Sequence, residues 1–93
     1  MDTLIHHGMQ FNACTIPTEH GCVLLILAPR GMLGCGYFAV ETADRIGDAL
    51  AVVSGVKNYD DMLRAEVKKV SAAAAQRGVQ IGMTGGEALL KMI

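Results

Sequence analysis

At 93 residues the chain has room for one domain, residues 1–93, and for a thin core, because a small domain buries a smaller share of its surface than a large one. With 52% hydrophobic residues and a mean hydropathy of +0.36 it carries more apolar surface than such a core absorbs, yet its longest apolar run, Cys22 to Ala28, falls far short of the roughly 20 residues of a membrane span. A net charge of −1, with no basic cluster beyond Lys68-Lys69, excludes nucleic acid, whose binding rests on a field of Lys and Arg.

The first forty residues are predicted to form a four-stranded antiparallel meander. Thr3 to His7 is the first strand, Gly8-Met9 a two-residue turn, and Gln10 to Pro17 the second strand. Thr18 to Gly21 is a turn cluster, Cys22 to Ala28 a Val/Leu/Ile strand, Pro29 to Met32 a tight turn, and Leu33 to Val40 the fourth strand. The period then changes. Glu41 to Ile46 is a short helix with Gly47 as its stop, and Asp48 to Ser54, with Leu50-Ala51-Val52-Val53, is a buried strand. Gly55 to Asn58 is a loop, Asp60 caps a helix through Leu63, and Glu66 to Val70 is the last strand. Ser71 caps the helix Ala72 to Arg77. Thr84-Gly85-Gly86-Glu87 is a capping box that opens a helix through Met92. The fold class is α+β: a meander, then alternating short helices and strands, in a two-layer arrangement on a mixed sheet.

Two-residue turns would fix which face each meander side chain takes. Phe11, Ala13, Leu24, Ile26, Leu33 and Cys35 share one face with His6, Thr15, Cys22 and Tyr37; this more apolar face should carry the helices. The other face mixes Gln10 and Asn12 with Ile5, Ile16, Val23, Leu25 and Leu27, and includes Gly34 and Gly36. An apolar sheet face without helices is a candidate subunit interface, and a partner subunit is the natural outlet for the apolar excess, usually in a symmetric homo-oligomer.

Three cysteines, an odd number without CxxC spacing, argue for free thiols in a reducing compartment, and Met1-Asp2-Thr3 has no basic region of the kind that opens a secretion signal. The expected location is the cytoplasm. Cys14 and Cys22 should lie on opposite faces. Cys22 and Cys35 should share a face but sit near opposite ends of their paired strands, too far apart for a disulfide.

The stretch Gly34-Cys35-Gly36 sets a thiol between two strand glycines, which predicts a close approach to the backbone. Cys35 as a nucleophile needs a neighbouring base, and His6 shares its predicted face; the plainer role is a small buried hydrophobe. His6, His7 and His20 have no metal-ligand spacing, so no metal site and no cofactor are expected. Gly31, Gly34 and Gly36 precede a strand where a dinucleotide fingerprint needs a helix. At Thr84 to Glu87 capping outweighs anion binding, because the Glu87 charge would repel an anion. The loop Ser54 to Asn58 follows a buried strand, a position where ligands sit in open α/β sheets, and Lys57 is its one cation; a solvated turn lysine is the alternative.

Four spaced blocks, Gly31 to Tyr37, Glu41 to Ala49, Gly55 to Leu63 and Gly82 to Gly85, together resemble the YunC-like family, a domain of unknown function found in bacteria and archaea as short stand-alone proteins. The resemblance spans nearly the whole chain. It implies a small α+β domain with a mixed sheet and no established activity, substrate or cofactor, and it marks Cys35 and Gly55-Val56-Lys57 as positions within the family pattern.

These readings converge on a small homo-oligomer that binds a small ligand at or beside a subunit interface, with Gly34, Gly36 and Gly55 lining the approach and Lys57 meeting an anionic group. Two alternatives stand beside it. One is an enzyme with Cys35 as nucleophile and His6 as base; the other is a structural or regulatory subunit without a ligand.

Overall fold

The computed structural model describes all 93 residues. Six strands form one sheet in chain order: β1 (Asp2–His6), β2 (Met9–Pro17), β3 (Cys22–Ala28), β4 (Gly31–Gly34), β5 (Leu50–Val52) and β6 (Lys69–Val70). The first four pair antiparallel as the expected meander, β5 joins β4 in parallel, and β6 returns antiparallel to β5. A parallel neighbour requires a crossover, and α1 (Val40–Ile46) supplies it. The remaining helices are α2 (Tyr59–Arg64), α3 (Ala72–Gln76) and α4 (Gly85–Lys91).

The first turn is His7-Gly8 rather than Gly8-Met9, with φ of 50° and 75°. Such a turn twists with its strands only if both central residues are left-handed, and glycine suits the second place as well as the first. His6 therefore pairs with Met9 and Leu4 with Phe11. This register differs by two residues from the predicted one, so every side chain keeps its face.

The fourth strand is shorter than predicted. It ends at Gly34 instead of running to Val40, because the Cys35 carbonyl turns to accept the Phe38 N–H at 3.1 Å. The chain then folds back and lays Phe38 against Gly34. Tyr37, predicted on the helix face, leaves the sheet and is 64% exposed; Val40 becomes the first residue of α1. Other boundaries differ too, and the buried strand predicted over Asp48 to Ser54 is only Leu50–Val52. Asn58, not Asp60, caps α2 by accepting the Asp61 N–H at 2.8 Å, and the last strand is only Lys69–Val70, with Glu66 making an isolated bridge to Thr84. The Ser71 cap and the Thr84–Glu87 capping box form as expected.

Phe11, Ala13, Leu24, Ile26, Leu33 and Cys35 are buried beneath the helices, together with Met62, Ala74, Ala88, Leu89 and Met92. A smaller cluster lies on the opposite face, where α1 sets Ala43 against Leu50 and Val52, with Met32, Phe38 and Val40 packed around them. The layering is thus helices α2, α3 and α4 on one face, and α1 alone on the other over β4 and β5. No helix is long and apolar enough to cross a membrane.

Candidate functional site

The carboxyl ends of the parallel strands β4 and β5 open into a recess of about 270 Å³ lined by Cys22, Cys35, Gly36, Tyr37, Gly55 and Val56. Binding pockets for drug-sized ligands start at about 300 Å³, so this recess is smaller than those. Its position follows from the fold. Cys35 and Gly36 continue from β4, Gly55 and Val56 from β5, and Cys22 begins β3, whose first residues run antiparallel beside the end of β4.

Each wall has a local cause. The Cys35 N–H donates to the Leu24 carbonyl at 3.1 Å, the last rung of the β3–β4 ladder. The Leu24 N–H would normally reach the Cys35 carbonyl in return, but that oxygen has turned toward Phe38. It donates instead to Cys35 Sγ at 3.3 Å, which fixes the buried sulfur at the strand end. Gly55 has φ +70°, a left-handed conformation that bends the chain directly after β5 and that a side chain would strain. The following loop is held by the Lys57 N–H donating to Asp61 Oδ2 at 3.0 Å, and the Cys22 thiol faces the Lys57 carbonyl at 4.0 Å. The Lys57 ammonium is exposed and makes no ion pair.

Cys35, Gly36 and Gly55 line the recess together; Lys57, the residue after Val56, is not one of its lining residues, though its carbonyl faces the Cys22 thiol. Gly34 lies outside it: an added Cβ would stand 2.6 Å from Phe38 Cδ2, so the close approach at this glycine is made by the chain's own ring. His6 lies elsewhere, against the head of α4, where a Cβ on Gly86 would meet His6 Nε2 at 2.6 Å. Partial burial and the neighbouring His7 ring, 4.4 Å away, hold the His6 pKa below its ordinary value.

One geometric expectation is corrected. Cys22 and Cys35 are not at opposite ends of their strands. Leu25 pairs with Gly34, which sets Leu24 opposite Cys35 and makes Cys22 its diagonal neighbour. The antiparallel direction is as expected; what differs is that β4 spans Gly31–Gly34 rather than starting at Leu33, a two-residue change of register that moves Cys35 to the end of its strand beside the start of β3. Cys22 and Tyr37 are the lining residues that no candidate motif marks as site residues, whereas Val56 lies within the Gly55-Val56-Lys57 block. Cys22 joins the site through that register, whereas Tyr37 reaches it only through the turn at Cys35.

Tyr37 also rims a second depression, an apolar groove of about 320 Å³ between α1 and the sheet, lined chiefly by Met32, Phe38, Thr42, Ile46 and Leu50. On the helix side Tyr59 joins three elements: its hydroxyl donates to Asp2 Oδ2 at 2.7 Å and accepts from Thr15 Oγ1 at 2.8 Å. Burial, together with the Asp2 carboxylate, raises its pKa.

A meander extended by one parallel strand, with a recess at that junction and no group of three or more His, Cys, Asp or Glu placed to hold a metal, defines a small α+β domain. The family model "Domain of unknown function (DUF1805)" matches residues 34–92, and the chain belongs to that family. It is 31% identical over 90 residues to the uncharacterized protein YunC of Bacillus subtilis (strain 168), covering 92% of this chain and 89% of that protein. The crystal structure of TA1206, a protein of unknown function from Thermoplasma acidophilum, superposes with a TM-score of 0.92 at 29% identity, over 99% of this chain and 90% of that one. The YunC-like resemblance read from the four sequence blocks is thereby established.

Proposed function

We propose that the protein is a cytoplasmic homo-oligomeric domain that binds a small ligand in the Cys22–Cys35–Gly55 recess, with Lys57 meeting an anionic group of that ligand. The observation that carries this reading is convergence. Gly36 and Gly55 come from separate segments, and both leave side-chain space empty at the carboxyl ends of the two parallel strands, where ligands sit in open α/β sheets. Lys57, with an exposed and unpaired ammonium and a carbonyl that faces the lining residue Cys22, suits a small acid or phosphate ester. An odd number of cysteines without CxxC spacing supports a reducing compartment.

The enzyme reading, with Cys35 as nucleophile, draws less support. Cys35 is only 5% exposed, and its proposed base, His6, packs against Gly86 rather than lining the recess. Native mass spectrometry of untagged protein purified gently from its own host tests the binding reading. The expected result is an oligomer carrying a reproducible small mass that Gly36→Leu abolishes. The nearest atom to a Cβ at Gly36 is Ser54 Cβ at 3.9 Å, so that substitution fills the recess without disturbing the core. A bare wild-type protein, or a mass retained by Gly36→Leu, overturns the assignment of this recess.

A further inference from the structure

The second face of β1, β2 and β3 is free of charge. The alternating positions from Thr3 to Leu27 that point to it include no Asp, Glu, Lys or Arg, in a chain that is 18% charged. No helix covers this floor, because α1 reaches only β4 and β5. Ile5 and Ile16 stand 62% and 54% exposed on it, and Leu25 and Leu27 are half-buried. The α1 groove borders the floor, and Ile46 on its rim is 66% exposed.

We infer that this face binds a second copy of the chain, floor against floor, about a two-fold axis parallel to the strands. The inference rests on the homo-oligomeric reading above and names its surface. A floor without charges offers no ion pair to a foreign partner and would leave any facing charge desolvated and unpaired. The complement it needs is equally uncharged, and an isologous contact supplies one by identity.

A standard interface removes about 800 Å² from each partner, roughly a seventh of this chain's 5294 Å². Facing sheets pack about 10 Å apart. With the axis along β2, each copy's β1 edge lies beside the other copy's α1, so that Ile5 of one copy enters the groove rimmed by Ile46 and Tyr37 of the other. Tyr37 also lines the ligand recess, which sets that recess next to the interface.

Light scattering coupled to size exclusion across the micromolar range provides the test. Wild type is expected to be a dimer. Ile16→Glu changes an already exposed side chain and should weaken the dimer about 100-fold or more by burying an unpaired charge. Ile81→Glu, at a 62% exposed position between α3 and α4, should leave the dimer intact. Cys14, half-buried on the same floor, gives an independent readout: iodoacetamide should alkylate it faster in Ile16→Glu than in wild type. A wild type that is monomeric throughout overturns both this interface and the oligomeric reading. A dimer that survives Ile16→Glu overturns this surface alone and leaves the oligomer resting on another.

Discussion

Phe38 lies against Gly34, so close that a Cβ on the glycine would stand 2.6 Å from ring carbon Cδ2 and 2.8 Å from Cγ. The glycine is buried and the ring completes the small cluster beneath α1. This contact ends β4 and starts the crossover, so it governs where both depressions open.

Gly34→Ala is therefore expected to destabilise the fold by about 1–3 kcal/mol, the usual range for overpacking a filled site. Urea unfolding measures it. Phe38→Ala in the Gly34→Ala background should recover part of that loss, because the two residues share one contact and their effects will not add. Strict additivity would mean that the ring does not rest on the glycine.

The glycine pair at the head of α4 separates into two roles. A Cβ on Gly85 would collide with the Met62 carbonyl oxygen and lie 2.8 Å from Leu33 Cδ2, and a backbone oxygen cannot step aside. Gly85→Ala should cost about 3 kcal/mol, the upper end of overpacking. Gly86→Ala meets the movable His6 ring at 2.6 Å and the Leu63 carbonyl oxygen only at 3.3 Å, and alanine regains roughly 0.5–1 kcal/mol of helix preference, so its net change should stay within about 1 kcal/mol. Comparable thermal shifts for the two variants would contradict this division. The absence of side chains at 85 and 86 serves helix packing, which is why the capping box needs no anion to account for it.

How much of this was legible in the sequence depends on how far each feature reaches. Face assignment survived, because a two-residue change of register at His7-Gly8 preserves parity and keeps Phe11, Leu24, Ile26 and Leu33 together. Caps were legible where the capping side chain serves its own helix, as at Ser71 and Thr84. The end of β4 was not, because alternation continues through Tyr37 while the break comes from Phe38 returning to Gly34. The recess was half legible. Its glycines and Cys35 stand out as residue types, but Cys22 joins them only because β4 starts at Gly31 and stops at Gly34.

Ser71 read as a helix cap, and the structure gives it a larger part. It is fully buried, its Oγ accepts from the Leu50 N–H at 2.9 Å and the Ala74 N–H at 3.3 Å, and its hydroxyl donates to the Asp48 carbonyl at 2.8 Å. Ser71→Ala would leave the Leu50 N–H without its partner inside the sheet, a penalty of about 2–3 kcal/mol in the unfolding free energy. Amide exchange offers a sharper view, since Leu50 should lose protection ahead of Leu24. Equal protection at both sites would show that water replaces the hydroxyl.

His6 should report the packing of β1 against α4 through its titration. Its folded pKa lies below the ordinary 6.5, first because partial burial disfavours the charged ring and second because His7 adds repulsion. Between the two values the unfolded chain binds more protons than the folded one, so stability rises with pH through that window. Stability is accordingly lost as pH falls below 6.5 and levels off beneath the folded pKa. NMR titration of the ring should find His6 below 6.5, and His7→Asn should move it part of the way back. Gly86→Ala should also raise it, by pushing the ring toward water. A His6 that titrates at 6.5 or above in the wild type would show that the ring does not pack against α4 in solution.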